Sequence, residues 1–271
     1  MKDFHIAVPT SFHPDEKLNS ETTVQHIIYL YHQGVRSVMI CGSTGEQHSL
    51  SLEEKLELLE YIENYDLPDD LEIIFGVSST RQVFTVELAM AVARSARVSA
   101  ILLGFPPYIM PSQTDVLHYC YAVMQAAGNK SIILYNNPRR TGFDVSVDTM
   151  LKLLENPQII GVKEAGEMNK VEKVLHQVQR EVLIFYGGES ELELAVTKGY
   201  NALSSIAGNL YPNEISQYFY QLKNQIEISS DTKLAIEELY RQPLIPYIKH
   251  KISQKEKIAF GTCRLPLGSQ F

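Results

Sequence analysis

Residues 159–164 read Ile-Ile-Gly-Val-Lys-Glu, and the strand that they predict is the reference point for the whole chain. A short apolar run bounded by turn residues is typical of a buried strand. Lys163 then lies at the end of that strand, although lysine is rarely buried without a partner. Two interpretations remain open at this stage. A desolvated amine can attack a ketone and form a Schiff base, or the side chain can simply extend from the strand end into water.

The chain on both sides of this stretch alternates between strand and helix patterns. Strands are predicted at residues 4–8, 37–40, 72–75, 100–103, 131–135, 159–162, 182–186 and 202–206. Helices are predicted at residues 18–33, 51–64, 83–93, 115–127, 147–154, 169–178, 190–198 and 211–225. Eight strand–helix pairs imply an α/β fold with a parallel sheet, and their number and length match a (β/α)8 TIM barrel. The alternative, a doubly wound open sheet, would need a GxGxxG turn after the first strand, which the sequence lacks.

The eight pairs end near residue 225, so we predict a catalytic barrel domain at residues 1–225. Residues 226–271 are predicted to form a C-terminal helical extension packed on the barrel, with one or two helices and an extended end. No linker, repeat or low-complexity segment separates the two parts. A chain of 271 residues is long enough to bury a substantial core.

Composition and charge narrow the possible classes of function. The net charge of −8 argues against nucleic acids and anionic membranes as partners. The three cysteines are far apart and the eight histidines show no metal-binding spacing, so no metal is expected. The first residues lack the apolar core of a signal peptide, and no apolar run reaches the ~20 residues of a membrane span. A reducing cytoplasm is therefore the expected compartment.

In such a barrel the functional side chains are expected at the carboxyl ends of the strands. The second strand is followed by residues 41–46, Cys-Gly-Ser-Thr-Gly-Glu, whose hydroxyls and backbone N–H groups suit a carboxylate. A phosphate-binding loop would end in Gly-Lys-Ser/Thr, which is absent here. The alternative interpretation is a plain turn in which Ser43 and Thr44 cap nearby backbone groups.

Two further candidates follow the fifth strand. Tyr135 ends this strand, next to the strand that carries Lys163, so both side chains can point into one barrel mouth. Its hydroxyl could relay protons to and from the amine, although a tyrosine on an apolar strand is more often part of the core. Arg140 follows in a loop and could clamp a carboxylate by two hydrogen bonds. A solvated loop arginine is the alternative interpretation of Arg140.

Three motifs now carry a resemblance to a known family. CGSTGE at residues 41–46, YNNPRRTG at 135–142 and GVKEAG at 161–166 resemble, in order and spacing, motifs of the dihydrodipicolinate synthase and N-acetylneuraminate lyase family. The resemblance implies a class I pyruvate-dependent aldolase or lyase on a (β/α)8 barrel. It also implies a homotetramer built as a dimer of dimers. No cofactor is implied, because the family holds pyruvate covalently on a lysine and joins it to an aldehyde co-substrate.

The resemblance also implies roles for individual residues. Lys163 matches the lysine that forms the Schiff base with pyruvate, and Tyr135 matches the tyrosine that shuttles protons. Thr44 would bind the pyruvate carboxylate through its backbone N–H. The remaining matches are a relay hydroxyl at Ser43, a relay tyrosine supplied by a neighbouring subunit at Tyr108, a backbone carbonyl facing the ketoacid at Ser204 and a carboxylate-binding arginine at Arg140.

The arginine in the YNNPRRTG motif favours the synthase branch of the family over the sialic-acid lyases. The expected reaction condenses pyruvate with L-aspartate 4-semialdehyde to 4-hydroxytetrahydrodipicolinate, a step of lysine biosynthesis. Ser43 replaces the usual threonine of the relay, and Ala202 replaces a glycine in the eighth strand. Ile109 and Gly166 also depart from the synthase pattern. These departures leave room for a sibling aldolase or dehydratase acting on a 2-keto-3-deoxy sugar acid or on N-acetylneuraminate.

Two other expectations concern regulation and the class of function. Leu52, Lys55 and Phe84 stand where lysine-inhibited members carry two histidines and a glutamate, so no feedback inhibition by lysine is expected. The hypothesis from another class of function is a non-catalytic relative that keeps the barrel and binds a ketoacid. A barrel with unrelated chemistry would require the lysine, the tyrosine and the hydroxyl loop to coincide by chance.

Overall fold

Eight parallel strands close into a barrel in chain order. The computed structural model describes residues 1–226 and 230–267; residues 227–229 and 268–271, which fall in the predicted extension, lie outside the described residues. The strands are β1 (Phe4–Ala7), β2 (Ser37–Ile40), β3 (Glu72–Gly76), β4 (Val98–Gly104), β5 (Ser131–Asn136), β6 (Ile159–Glu164), β7 (Leu183–Gly187) and β8 (Ala202–Ser205). Because β1 pairs with both β2 and β8, the sheet has no edge. The predicted (β/α)8 TIM barrel is confirmed, and the open-sheet alternative is excluded.

Helices connect successive strands and cover the outside of the barrel. They are α1 (Ser20–His32), α2 (Leu52–Asn64), α3 (Gln82–Arg94), α4 (Gln113–Ala126), α5 (Pro138–Thr141), α6 (Val147–Leu154), α7 (Met168–Leu175), α8 (Leu192–Thr197), α9 (Pro212–Lys223), α10 (Ser230–Tyr240) and α11 (Leu244–Glu256). The predicted start of α2 is confirmed in detail. The Ser51 side chain accepts a hydrogen bond from the Glu54 backbone, and the Glu54 side chain accepts one from the Ser51 backbone.

The apolar core has two layers, one between the sheet and the helices and one inside the barrel. The larger layer contains the strand residues that point outward, such as Ile6, Val38 and Leu134, together with the inner faces of the helices. The interior layer is small and is formed by Ala7, Met39, Ile74, Ala100, Leu102, Ile133, Phe185 and Ala202. Since side chains alternate along a strand, Tyr135 and Lys163 follow the interior positions Ile133 and Gly161 and point into the barrel mouth.

Two short helical turns interrupt loops for which no helix was predicted. Helix α5 begins with Pro138, whose fixed backbone angle suits a first helical turn. It ends at Gly142, which has a φ of 75° in the left-handed region that glycine adopts readily. A 3₁₀ turn follows β8 at Ala207–Asn209. Four-residue and three-residue turns carry no helical periodicity, so the sequence pattern could not reveal them.

The C-terminal extension contributes α10 and α11, in agreement with the one or two helices predicted after the barrel. Helix α10 contacts α9, and α11 contacts α1. The His26 ring on α1 lies 2.7 Å from the Glu256 carboxylate at the end of α11, where both side chains are buried. No helix within residues 1–226 and 230–267 is long and apolar enough to cross a bilayer.

Candidate active site

Lys163 lies at the centre of the barrel mouth. In the ladder between β5 and β6 it is the direct partner of Tyr135, and its side chain is buried, with 5% of the residue exposed. Its Nζ donates a hydrogen bond of 2.8 Å to Ser204 Oγ and lies 4.8 Å from the centre of the Tyr135 ring. A Cβ atom at Gly187 would lie 3.1 Å from Lys163 Cε, a tight contact, so a side chain there would have to displace the end of the lysine.

The environment of Lys163 favours the neutral amine. Burial lowers the pKa of its ammonium group below the usual 10.5, while Tyr135 and Glu189 oppose this shift and Arg140 adds to it. A larger neutral fraction at neutral pH makes the amine a better nucleophile. The interpretation of Lys163 as a side chain that extends into water therefore does not hold.

The Tyr135 hydroxyl joins the amine to the hydroxyl loop. It lies 3.3 Å from Ser43 Oγ and accepts a hydrogen bond of 2.6 Å from Asn137 Nδ2. Burial alone would raise the pKa of this phenol, but the positive charge of Lys163 and the hydrogen bonds with Ser43 and Asn137 together lower it. A phenol with a lowered pKa beside an amine can exchange protons with it, which suits a relay.

The hydroxyl loop, residues 41–46, follows β2 and closes one side of the mouth. Thr44 is buried, with 5% of the residue exposed. Gly45 is held tightly, because Thr10 Oγ1 donates 2.7 Å to its carbonyl and a Cβ there would lie 3.1 Å from the Val8 carbonyl. Cys41 and Glu46 flank the loop with φ values of 52° each, in the left-handed region that non-glycine residues rarely adopt. Such strain persists only where the surrounding structure enforces it.

Lys163 opens into a cavity of about 410 Å³. Its polar wall comes from the strand ends and loops of the barrel: Ser43, Thr44, Tyr135, Asn137, Arg140 and Lys163. The apolar wall comes mostly from the C-terminal extension: Ile206, Pro243, Leu244, Ile245, Pro246 and Leu267. The cavity thus combines a buried amine at Lys163 with the cationic Arg140 and a few directed polar groups, which is typical of a binding site for a small anionic molecule.

The other sequence candidates occupy two different environments. Arg140 lines the cavity from α5, remains exposed, and forms no ion pair with any described residue, so its guanidinium is available to a ligand. Tyr108 does not line the cavity of its own chain. It is 89% exposed with a φ of 71°, and its backbone N–H donates 3.1 Å to the Thr141 carbonyl. Its expected role in the site of a neighbouring subunit stays a prediction.

Two side-chain contacts in the site were not predicted from the sequence. Asn137 was expected only as a loop residue, yet its amide binds the Tyr135 hydroxyl. For Ser204 the backbone carbonyl was expected to face the ligand. That carbonyl accepts a hydrogen bond from Gly188 N–H at 3.0 Å, while the side-chain hydroxyl contacts Lys163. The alternation along β8 places the Ser204 side chain inward, which is the one sequence signal that pointed to this contact.

Two buried titratable groups lie close to Lys163 without lining the cavity. His5 is fully buried, and neither ring nitrogen has a hydrogen-bond partner among the described residues. Burial and the charge of Lys163 hold the pKa of His5 well below 6.5, so the ring is neutral. Glu189 accepts hydrogen bonds from Ser205 Oγ at 2.6 Å and from Tyr240 OH at 2.8 Å. Burial raises the pKa of this carboxyl group.

A buried amine beside a phenol, at the mouth of a parallel barrel and facing a small polar cavity, defines the class of protein. It is a (β/α)8-barrel lyase or aldolase. Comparison with known proteins gives the family. The model of the dihydrodipicolinate synthetase family matches residues 1–270. The chain belongs to this family.

Individual relatives agree with this assignment. A 4-hydroxy-tetrahydrodipicolinate synthase of Ligilactobacillus salivarius is 27% identical over 277 residues, covering 99% of this chain and 94% of that protein. The dihydrodipicolinate synthase of Cyanidioschyzon merolae, solved with lysine bound, superposes with a TM-score of 0.88 at 20% identity and covers 99% of this chain and 92% of that one. The sialic acid aldolase of Ruminococcus gnavus gives the same TM-score and identity, with 98% and 90% covered. The two structural matches support the fold.

Proposed function

We propose that this protein is a class I pyruvate aldolase, and specifically a 4-hydroxy-tetrahydrodipicolinate synthase that joins pyruvate to L-aspartate 4-semialdehyde. The observation that carries the proposal is the buried amine of Lys163, whose pKa is lowered by burial and which lies 4.8 Å from the centre of the Tyr135 ring. Membership of the family supports the aldolase chemistry. The name of the L. salivarius relative supports the choice of acceptor.

In the first half of the proposed reaction, the neutral amine of Lys163 attacks C2 of pyruvate, and the adduct loses water to form an imine. Loss of a proton from the pyruvate methyl group then gives the enamine. Tyr135 is placed to take up and return these protons, because its hydroxyl binds Ser43 and Asn137 while its ring borders the amine. The backbone N–H of Thr44 would hold the pyruvate carboxylate at the buried end of the cavity.

In the second half, the enamine carbon attacks the aldehyde carbon of L-aspartate 4-semialdehyde, and the aldehyde oxygen takes up a proton. The amino group of the new product then displaces Lys163 from C2, which closes the ring and releases the amine. One water molecule leaves in total, so the atoms of both substrates are accounted for. Arg140 at the cavity rim would hold the acceptor's carboxylate, because a guanidinium matches a carboxylate with two parallel hydrogen bonds.

A sibling activity on a 2-keto-3-deoxy sugar acid or on N-acetylneuraminate is the alternative, motivated by the departures at Ser43 and Ala202. The cavity favours the synthase. Ile206, Leu244 and Ile245 on its apolar wall bring no side-chain hydrogen-bonding groups for a chain of sugar hydroxyls. A site that leaves substrate hydroxyls unpaired binds such a substrate poorly.

Trapping with borohydride tests the covalent step. Pyruvate and borohydride should add to Lys163 the mass of pyruvic acid less one oxygen atom, and mass spectrometry of the digested protein should locate the adduct. Lys163→Arg, which keeps the charge but not the nucleophile at neutral pH, should give no adduct. Pyruvate binding without any adduct would instead support the non-catalytic ketoacid-binding relative.

A panel of acceptors tests the choice of substrate. Pyruvate would be incubated with L-aspartate 4-semialdehyde, N-acetylmannosamine and simple sugar aldehydes, and consumption of pyruvate would be followed for each. We expect turnover with the semialdehyde. Turnover with the sugars alone would contradict the synthase assignment but would still agree with the covalent mechanism.

A further inference from the structure

One buried carboxylate connects the hydroxyl loop to the C-terminal extension. Glu46, the last residue of the loop, is fully buried, and so is Lys249 on α11. Glu46 Oε1 accepts a hydrogen bond of 2.9 Å from Lys249 Nζ, and Oε2 accepts one of 3.0 Å from the Arg264 backbone N–H. The two oxygens of a single side chain therefore bind two segments of the extension, 203 and 218 positions away in sequence.

Both segments bound by Glu46 continue directly into the apolar wall of the cavity. Lys249 lies one turn after the wall residues at 243–246, on the helix that these residues begin. Arg264 lies three positions before Leu267, which also lines the cavity. On the other side, Glu46 N–H donates 3.2 Å to the carbonyl of Ser43 and follows Thr44 by two residues. Glu46 thus connects the hydroxyl loop directly to both segments that carry the apolar wall.

Other groups besides Glu46 also contact the Lys249 ammonium and fix its position. Its ammonium also donates 2.6 Å to the Thr262 carbonyl and lies 4.5 Å from the centre of the Phe12 ring. A buried ion pair of this kind adds little net stability relative to an apolar pair of the same volume, because both charges lose their hydration. It does fix the mutual position of the two elements, since each partner is costly to leave unpaired.

We propose that Glu46 and Lys249 are positioning residues that hold the hydroxyl loop and the apolar wall at the separation needed to bind the ketoacid. Neither side chain lines the cavity, so both act through the residues that do. The role of the loop as the carboxylate site rests on the proposed function. The mechanical link between the loop and the extension does not.

Glu46→Gln is the sharpest variant, because it keeps the size of the side chain and removes half of its accepting capacity. The amide nitrogen is a donor and faces either the Lys249 ammonium or the Arg264 N–H, so one of the two connections is lost. We expect the pyruvate concentration for half-maximal borohydride trapping to rise about tenfold, the order expected for one charge-assisted hydrogen bond. The trapping rate at saturating pyruvate should stay unchanged.

Glu256→Gln is the matched control. It removes the negative charge that faces His26, in a pair that is similarly buried and also ties α11 to the barrel, but at the opposite end of the helix from the cavity. We expect both variants to melt at lower temperature, while only Glu46→Gln raises the half-saturating pyruvate concentration. A rise of equal size in both variants, or in neither, would overturn the proposal.

Hydrogen exchange separates this proposal from the proposed function. Glu46→Gln should speed amide exchange at residues 41–46 and at Tyr247, whose N–H donates 3.0 Å to the Pro243 carbonyl, and Glu256→Gln should not. If borohydride traps no pyruvate on the wild-type protein, the proposed covalent mechanism is wrong. The positioning role of Glu46 is then tested by the amide-exchange pattern alone. If Glu46→Gln does not fold, Lys249→Met and the conservative Lys249→Arg replace it. Lys249→Arg should restore most of the pyruvate affinity and amide protection that Lys249→Met loses. Equal amide exchange and equal half-saturating pyruvate concentrations in the two variants would contradict a positioning role.

Discussion

At the scale of single residues, the chemistry of the site depends on where one proton resides. Lys163 and Tyr135 are direct neighbours across two strands, and the pKa of each is lowered. For the amine, burial is the main cause. For the phenol, the positive charge and hydrogen bonds overcome the opposing effect of burial. The pair can therefore share protons over a range of pH in which an isolated lysine would stay charged and an isolated tyrosine neutral.

Tyr135→Phe should keep the ring against the amine and remove the relay. We expect kcat to fall about 10²- to 10⁴-fold, the usual contribution of a positioned general acid or base, with borohydride trapping slowed but still located on Lys163. Tyr218→Phe serves as the control, because Tyr218 is also buried and its hydroxyl donates 3.0 Å to Glu193, and neither residue lines the cavity. Steady-state kinetics would give kcat for both variants, and equal kcat values would contradict a proton relay through Tyr135.

The closed barrel brings five of the sequence candidates together at one mouth. Lys163, Tyr135, Ser43, Thr44 and Arg140 all line one cavity, because parallel strands of a barrel bring their carboxyl ends to one face. Asn137 was missed for an equally physical reason. Asparagine in a turn usually binds its own backbone, and only the α5 turn, which has no periodic signal, directs this amide to the phenol.

At the scale of elements, the end of β6 carries a second titrating group. Glu164 follows Lys163 but points outward, where it accepts hydrogen bonds from Asn136 at 2.8 Å and from Gly166 N–H at 2.6 Å. Burial raises its pKa from 4.5 to about 7, although Lys170 and the two hydrogen bonds oppose the shift. The folded protein therefore binds this proton more tightly than the unfolded chain does.

That shift predicts a pH dependence of stability. Between pH 4.5 and about 7 the folded state holds more protons than the unfolded state, so stability is greatest below this window and falls as pH rises through it. The full loss is of the order of 3 kcal/mol. Glu164→Gln resembles the protonated side chain and should remove this component. Melting temperatures of both proteins from pH 5 to 8 would test it, and parallel curves would contradict the assignment.

Helices α2 and α3 bear on regulation. Lys55 on α2 is buried, and its ammonium donates 2.9 Å to the Ser78 carbonyl. By the family resemblance, Lys55, Leu52 and Phe84 take the positions at which lysine-inhibited members carry two histidines and a glutamate. A cation in place of these groups should repel the ammonium of a bound lysine. We expect millimolar lysine to leave the rate unchanged. Rates measured with and without it would decide, and clear inhibition would contradict the prediction.

Element bounds were predictable to within a few residues because apolar periodicity follows the strands and helices. The predicted helix at residues 169–178 is observed as Met168–Leu175, and the one at 190–198 as Leu192–Thr197. In contrast, no local pattern joins Glu46 to Lys249, or places residues 243–246 against the cavity. Contacts between distant segments depend on the closed barrel, so sequence spacing alone could not reveal the apolar wall.

At the scale of the whole molecule, one exposed apolar segment points to assembly. Tyr108, Ile109 and Met110 are 89%, 54% and 66% exposed, and Tyr108 and Met110 both have positive φ values. Exposed apolar clusters of this kind usually mark an interface. We propose that this segment enters the site of a neighbouring subunit in a homotetramer. Light scattering of the purified protein would measure the number of subunits.

A mixing experiment tests whether Tyr108 acts across the interface. Tyr108→Phe and Lys163→Arg should each lower activity strongly as pure proteins. After the two are dissociated and reassembled together, some sites would combine an intact Lys163 with a partner's intact Tyr108, and part of the activity should return. Recovery near zero, with mixed assembly shown by mass spectrometry, would place the function of Tyr108 within its own chain.

The apolar wall also has a consequence for how the protein is made. Strand β8 must leave the ribosome before the sheet can close on β1, and residues 243–246 and 267 are translated only after that. Since chains fold from the N-terminus during synthesis at about 5–20 residues per second, a finished barrel precedes a finished cavity by several seconds. Nascent chains would carry the nucleophile before they can enclose a substrate.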